Sequence, residues 1–251
     1  YLGDVFQEKV RKNQNFKFVF KRKVYLRGNE ERDLDPPSED PIFNRLVYLQ
    51  AQDEIIKGNL PIDSEDEVAQ FVALAMVVDN GEECPTDTGG LVEADVADYV
   101  PITWKDEHSA DGWAVIVAPY IPKVIDMAPE ECQDAFLALA KESPLYGSMY
   151  FHTKKDNHAY ELADIPDVFV SAFNSDGLHF LDAETHDILK SCGFEDVYRW
   201  GGGSSKFTLI VYNSENDSTY DTSFWTTQAT DMSSVILDYI KAILKTEEEI
   251  G

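Results

Sequence analysis

The sequence predicts an α+β chain of more than one domain, in which an all-helical unit is followed by a β-rich unit closed by one helix. Three observations carry that prediction. Apolar residues recur at helical spacing between residues 41 and 141. From Pro144 onward they alternate or cluster in short runs separated by turn residues, which is strand spacing. The last apolar segment, Met232 to Lys245, then returns to the helical period. A length of 251 residues suits two domains or one large one, and 43% apolar with 12% aromatic residues is too rich in core formers for disorder.

Each element has its own signals. Residues 1–12 read as the end of a helix, with Leu2, Val5, Phe6 and Val10 near the helical period, and Phe16 to Leu26 alternates as one strand. The polar, acidic stretch from Arg27 to Pro41 is a connector. A helix then runs from Pro41 to Lys57, with Gly58 as terminator, and a second follows the acidic first turn Asp63-Ser64-Glu65-Asp66-Glu67 from Val68 to Val78, stopped by Asn80-Gly81. Residues 82–95 read as a loop. Trp113 to Met127, interrupted by Pro119 and Pro122, and Pro129 to Lys141 complete a unit of about four helices. Strands follow at Met149–Phe151, Val168–Phe173, Leu178–Leu181, Ile188–Cys192, Val197–Trp200, Lys206–Tyr212 and Thr219–Thr227, with Asn174-Ser175-Asp176-Gly177 as one turn.

In the last helix Val235, Tyr239, Ile243, Ile236, Ile240, Leu244 and Leu237 occupy an arc wider than packing on one sheet requires. The surplus edge, Leu237 and Leu244 or alternatively Val235, lines a groove beside the sheet or is buried against the helical unit.

Charge excludes several functions. The chain holds 47 acidic and 21 basic residues, a formal charge of −26, and past residue 32 there are 43 acids against 12 bases. Such a surface repels nucleic acid and anionic lipid, so we expect no nucleic-acid partner and no broad membrane binding. The basic cluster Lys21-Arg22-Lys23 reads as a solvated strand face at a sheet edge in preference to a lipid or acidic-partner site. No apolar run approaches the roughly 18 residues of a membrane span. Tyr1-Leu2-Gly3-Asp4 opens no signal peptide, and a start without Met leads us to expect a piece of a longer chain. Three cysteines at unpaired spacings, Cys84, Cys132 and Cys192, fit a reducing cytosol.

Several motifs reduce to structure. The acids at 63–67 lack the alternating spacing of a calcium loop and read as helix capping. Asp87-Thr88-Gly89 follows no apolar strand of the kind an aspartic protease needs. Gly201-Gly202-Gly203-Ser204-Ser205 lacks a Gly-Lys-Ser/Thr ending and leads into a strand, so it reads as a hairpin turn. Asn216-Asp217-Ser218 reads as a turn between strands. The five histidines form no helical ligand pair, and no nucleophile, base and orienter have recognisable spacing. We therefore expect no metal, no cofactor and no catalysis.

Particular stretches resemble a known module. Tyr1 to Phe6 with Phe18 to Leu26 is similar to the end of a ubiquitin-like first lobe of the FERM module. Leu46-Val47-Tyr48-Leu49-Gln50-Ala51-Gln52-Asp53-Glu54-Ile55-Ile56-Lys57-Gly58-Asn59-Leu60-Pro61, with Ala69 to Leu74, resembles the opening helices of its second lobe. Pro144-Leu145-Tyr146-Gly147-Ser148-Met149-Tyr150-Phe151 resembles the junction into the third lobe in the MyTH4-FERM tails of unconventional myosins and of the plant calmodulin-binding kinesin. Asn174 to Leu181 and Trp200 to Phe207 match that lobe further on. The resemblance implies a partial ubiquitin-like lobe over 1–32, an all-α four-helix lobe over 41–143, and a PH/PTB-like β-sandwich with a C-terminal helix over 144–251.

It also implies a non-catalytic binding module. In PTB-like lobes a partner peptide adds a strand to an open sheet edge while its side chains enter the groove beside the C-terminal helix. The corresponding edge is Val197, Tyr198, Arg199 and Trp200, facing Leu237, Ile240 and Leu244. Trp200 or Tyr198 supplies the aromatic anchor, although Val197 or Trp200 taken alone also reads as sandwich core. The expected partners are protein cargo tails, with basic segments favoured by the negative surface. The expected setting is the cytoplasmic, cytoskeleton-associated tail of a motor, an unconventional myosin before a kinesin. The alternative is an autoinhibitory or filament-associated module acting on its own motor domain.

Overall fold

The computed structural model describes residues 21–26, 40–156, 164–213 and 217–250. The expected helix over 1–12, most of the expected strand over 16–26, the connector from 27 to 39 and Asn216 lie outside them.

The helical unit contains α1 (Pro41–Ile56), α2 (Glu65–Asn80), α3 (Thr88–Glu93), α4 (Ala110–Val117), α5 (Ile121–Val124) and α6 (Pro129–Ala140). Asp40 caps α1 by accepting a hydrogen bond from the Ile42 N–H, and Pro41 takes the first position, where it forfeits no helical bond. Ser64 caps α2 ahead of Glu65, Asp66 and Glu67, whose charges suit the positive end of the helix dipole. From Val68 to Val78 every residue of α2 except Gln70 is buried. A helix that is apolar all round must lie at a centre, and α4, α5 and α6 all pack on it. Phe136 of α6 meets Tyr48 and Phe71 edge-on at 5.0 and 4.8 Å between ring centroids.

Two expectations change here. The stretch 82–95 is not wholly loop, because Asp87 accepts from the Gly90 N–H and starts α3. Asp87 in the Asp-Thr-Gly triplet is thus a helix cap. The stretch over 113–127 is interrupted at Pro119 as expected, which separates α4 from α5, but not at Pro122, which sits in the first turn of α5 where its missing N–H costs no helical bond.

The β unit is β1 (Met149–Lys155), β2 (Val168–Asn174), β3 (Gly177–Asp182), β4 (Ile188–Cys192), β5 (Val197–Gly202), β6 (Lys206–Asn213) and β7 (Ser218–Trp225), followed by α7 (Ala229–Ile250). The strands form one antiparallel sheet in the order β4-β3-β2-β1-β7-β6-β5. Phe180 on β3 and Phe224 on β7 stand three strand positions apart, about 14 Å in a flat sheet, yet their rings lie 5.9 Å apart. The sheet therefore folds over itself as a sandwich. Its core also contains Phe169, Phe173 and Phe207, and is closed on one side by Met232, Val235, Ile236 and Tyr239 of α7.

The outer face of β2 and β3 is not left to solvent. Val170, Ala172 and Leu181 belong to the same buried cluster as the helical unit, so β2 is buried on both faces. That explains the continuous apolar run at 168–173. Cys84, Cys132 and Cys192 are all buried and free. Burial pushes the Cys84 and Cys192 thiols up to about 11 and raises Cys132 as well. A thiol reagent at pH 8 is therefore expected to label none of the three in the native protein and all three in denaturant. Rapid native labelling would contradict their placement.

Candidate functional site: the β5 edge and the helix beside it

Among the described residues β5 pairs only with β6, so its other edge offers backbone groups along Val197 to Gly202 that no described strand takes. A bulge between Val197 and Arg199 interrupts the two-residue alternation. As a result Val197 and Trp200 both pack against the sandwich core, while Tyr198 is 68% exposed and Arg199 is exposed. The Trp200 indole N–H donates to the Ser233 carbonyl on α7 at 3.3 Å. Trp200 thus ties the edge strand to the helix, and Tyr198 is the aromatic side chain free to meet an incoming chain.

That single bond also orients α7. Ser233, Leu237, Ile240 and Leu244 follow one another at intervals of four, three and four residues, so they form one stripe on the helix. The stripe begins at Trp200 and hence lies on the β5 side. Along it Leu237 is 42% and Leu244 53% exposed, with Ile240 half-buried at the base. Val235, the alternative edge, is fully buried in the sandwich. Gly202 accounts for the glycine-rich end of β5: a Cβ there would lie 2.3 Å from the Ala229 carbonyl oxygen, so only glycine lets the strand meet the start of α7.

An open strand edge, an exposed tyrosine and a row of uncovered leucines thus lie side by side, which is the kind of surface on which strand addition operates. Among the described residues no group of three or more His, Cys, Asp or Glu could hold a metal ion, and no helix is long and apolar enough to cross a membrane.

Comparison with known proteins puts this geometry in a family. The FERM central domain matches residues 33–151, and the PTB domain of IRS-1 type matches residues 154–244, together 210 of the 251 residues. The chain belongs to the FERM family. The C-terminal MyTH4-FERM domain of human myosin 7b, solved in complex with the harmonin-a PDZ3 domain, shares the fold with a TM-score of 0.72 at 21% identity, over 96% of this chain and 47% of that one. The myosin VII MyTH4-FERM MF2 domain of Dictyostelium discoideum superposes with a TM-score of 0.66 at 18% identity, over 80% of this chain and 39% of that one. In sequence, this FERM chain is 26% identical to the kinesin-like protein KIN-14I of Oryza sativa subsp. japonica over 217 residues, and 25% identical to Talin-B of Dictyostelium discoideum over 220. Those alignments cover 82% and 87% of this chain but only 16% and 8% of the relatives' lengths.

Within the FERM module, Lys21, Arg22 and Lys23 lie at the junction of the second and third lobes. Lys21 reaches Glu54 at 2.6 Å and Asp53 at 3.5 Å. Burial works against the Lys21 ammonium, but these two carboxylates outweigh it and raise its pKa. Arg22 exchanges its backbone N–H and C=O with the Gln50 side chain at 2.8 and 3.1 Å. Lys23 meets Asp238 at 2.5 Å and Ser234 at 3.0 Å, on the flank of α7 next to the leucine stripe. Residues 21–26 consequently form no strand: side chains of α1 and α7 take their backbone groups, and no described strand pairs with them. Neither Gln50 nor Asp238 carried a signal in sequence, because a long-range bond between polar side chain and backbone has no periodicity.

Proposed function

We propose that this FERM module is a non-catalytic, partner-binding element of a cytoskeletal motor tail, acting in the cytoplasm, and that it takes cargo-tail peptides by strand addition to β5. The observation that carries the reading is the open β5 edge lying beside the exposed stripe Leu237, Ile240 and Leu244. Protein partners are supported by the human myosin 7b relative, which was solved with a PDZ domain bound. A motor setting is supported by the kinesin-like relative and the myosin-like fold. Val197, Tyr198, Arg199 and Trp200 would give the incoming strand its register, and the formal charge of −26 favours basic partner segments.

Binding of labelled cargo-tail peptides, followed by fluorescence anisotropy, tests the slot. Burying one Leu side chain is worth about 1.5–3 kcal/mol. Leu237→Asp with Leu244→Asp is thus expected to weaken binding at least tenfold, without unfolding, since both residues are exposed. Association should also slow as salt shortens the Debye length from about 30 to 10 Å. Unchanged affinity in the folded double variant removes the β5 slot, and flat salt dependence removes the preference for basic partners.

A second reading is autoinhibition, in which the module holds another part of its own chain or a filament. It draws support from the FERM domain of Drosophila Merlin, which has been solved in complex with that protein's C-terminal domain. Adding the module to a tail-deleted motor and finding unaltered ATPase activity counts against it.

A further inference from the structure

The helical lobe has a second concavity that the β5 slot does not use. α2, α5 and α6 leave between them an open groove of about 600 Å3. Its floor is apolar, formed by Ala73, Leu74, Val124, Met127, Ala135 and Leu139. Its rim is polar, with Asp66 and Gln70 on one side and Glu142 at one end. The groove meets a cleft of about 400 Å3 between the two lobes, and Glu142 lines both. In that cleft Asp63, Glu67 and Glu142 of the helical lobe face Asp187 beyond β3.

We propose that this composite surface docks a basic amphipathic segment of a partner protein, with apolar side chains in the α2–α5–α6 groove and Lys or Arg in the acidic cleft. Charge selects that occupant. Residues 41–143 hold 21 acids against 5 bases, a net of −16. Of the two nitrogen-bearing side chains at the site, the Lys123 ammonium lies over the Tyr120 ring at 4.0 Å, and the His186 ring is held through Nδ1 by the Gly58 carbonyl at 2.9 Å. Asp66 accepts from the Tyr120 hydroxyl, which keeps its carboxylate at the rim. Burial first, then the charges of Asp63 and Glu142, hold the Glu67 carboxyl above its usual range, against a hydrogen bond from the Asp63 N–H. An arriving ammonium or guanidinium group relieves that repulsion. An anionic lipid or acidic peptide would add to it. A helix with apolar residues at i, i+3, i+4 and i+7 presents one such stripe to a groove and leaves its basic residues for the rim.

The proposal is independent of the β5 slot, and methionine methyl NMR of the 251-residue chain separates the two. The four methionines are Met76, Met127, Met149 and Met232; Met127 lines the groove, and Met232 of α7 is buried in the sandwich core. The probe is an acetylated, amidated 14-residue peptide of leucine at i, i+3, i+4 and i+7 spacing with lysine elsewhere. We expect a saturable shift of the Met127 methyl with Met232 unmoved, and none from the same peptide with glutamate for lysine or serine for leucine. Ala138→Trp, which fills the groove from an exposed helix position, and Glu142→Lys should each weaken binding by about tenfold. Leu237→Asp with Leu244→Asp should not. Absence of a saturable Met127 shift, equal binding of the serine control, or parental affinity in both Ala138→Trp and Glu142→Lys would overturn the proposal.

Discussion

Phe224→Ala is expected to destabilise the PTB-like lobe by about 3–5 kcal/mol, out of a total that for a domain is about 5–15 kcal/mol. Phe224 is fully buried and stands where the folded sheet closes. Its ring lies 5.6 Å from Phe169, 5.9 Å from Phe180 and 5.3 Å from Phe207. Phe169 and Phe180 belong to the β1–β4 half of the sheet, and Phe207 to the β5–β7 half. Truncation therefore removes ring contacts between the halves, leaving Phe173 against Phe207 at 6.3 Å, as well as opening a cavity. At a slope of about 1–3 kcal/mol per molar urea, the unfolding midpoint should fall by about 1–5 M. Tyr198→Ala, at an exposed position on β5, should shift stability by no more than about 0.5 kcal/mol. Similar midpoints for the two variants would mean that the phenylalanines do not form one core.

Much of this architecture was readable from local signals. Capping at Ser64, the terminator after Asn80, and the seven short strands with their turn residues act over a few positions, and helices and strands follow them. The stripe of α7 was legible as an arc too wide for one sheet, because helical period converts spacing directly into direction. Which side of that arc faced β5 was not legible. It depends on the Trp200 bond to Ser233 and on the β5 bulge, both of which are tertiary. The resemblance of particular stretches to the FERM module supplied the order of the lobes, and family matches over 33–151 and 154–244 bear it out. The α2–α5–α6 groove left no trace in sequence, since its floor is made of ordinary helical apolar residues that differ from core only in what fails to cover them.

The basic cluster at residues 21–23 reads in sequence as a solvated strand face in preference to a partner site; it is not strand, and its acidic partners include α1 and α7 of the same chain. Those ion pairs are half-exposed, at about 0–1 kcal/mol each, so they do not hold the segment by themselves. Tyr25 does more. It is buried edge-on against Tyr146 at 5.3 Å, and its backbone N–H donates to the Tyr239 hydroxyl, which in turn donates to the Gly147 carbonyl. One tyrosine of α7 thereby joins the segment at 21–26 to the entry of the third lobe.

Gly147→Val is expected to break that junction. Gly147 has φ +72°, a conformation that costs a residue with a Cβ about 1–2 kcal/mol and a β-branched one more. Its Cβ would also lie 2.6 Å from the Tyr25 Cβ and 2.7 Å from Cγ, so Tyr25 must move from its buried site. Neither atom is the flexible end of a long side chain, and overpacking of this kind adds about 1–3 kcal/mol. A fall of about 2 kcal/mol in the free energy of local opening should raise tryptic cleavage after Lys21, Arg22 and Lys23 by about 30-fold. Lys23→Ala, which removes one half-exposed ion pair, should raise cleavage at the two remaining sites only a few-fold. If the valine variant is cut no faster than the alanine variant at Lys21 and Arg22, the segment is held by its charges, and Tyr25 is not the anchor between the lobes.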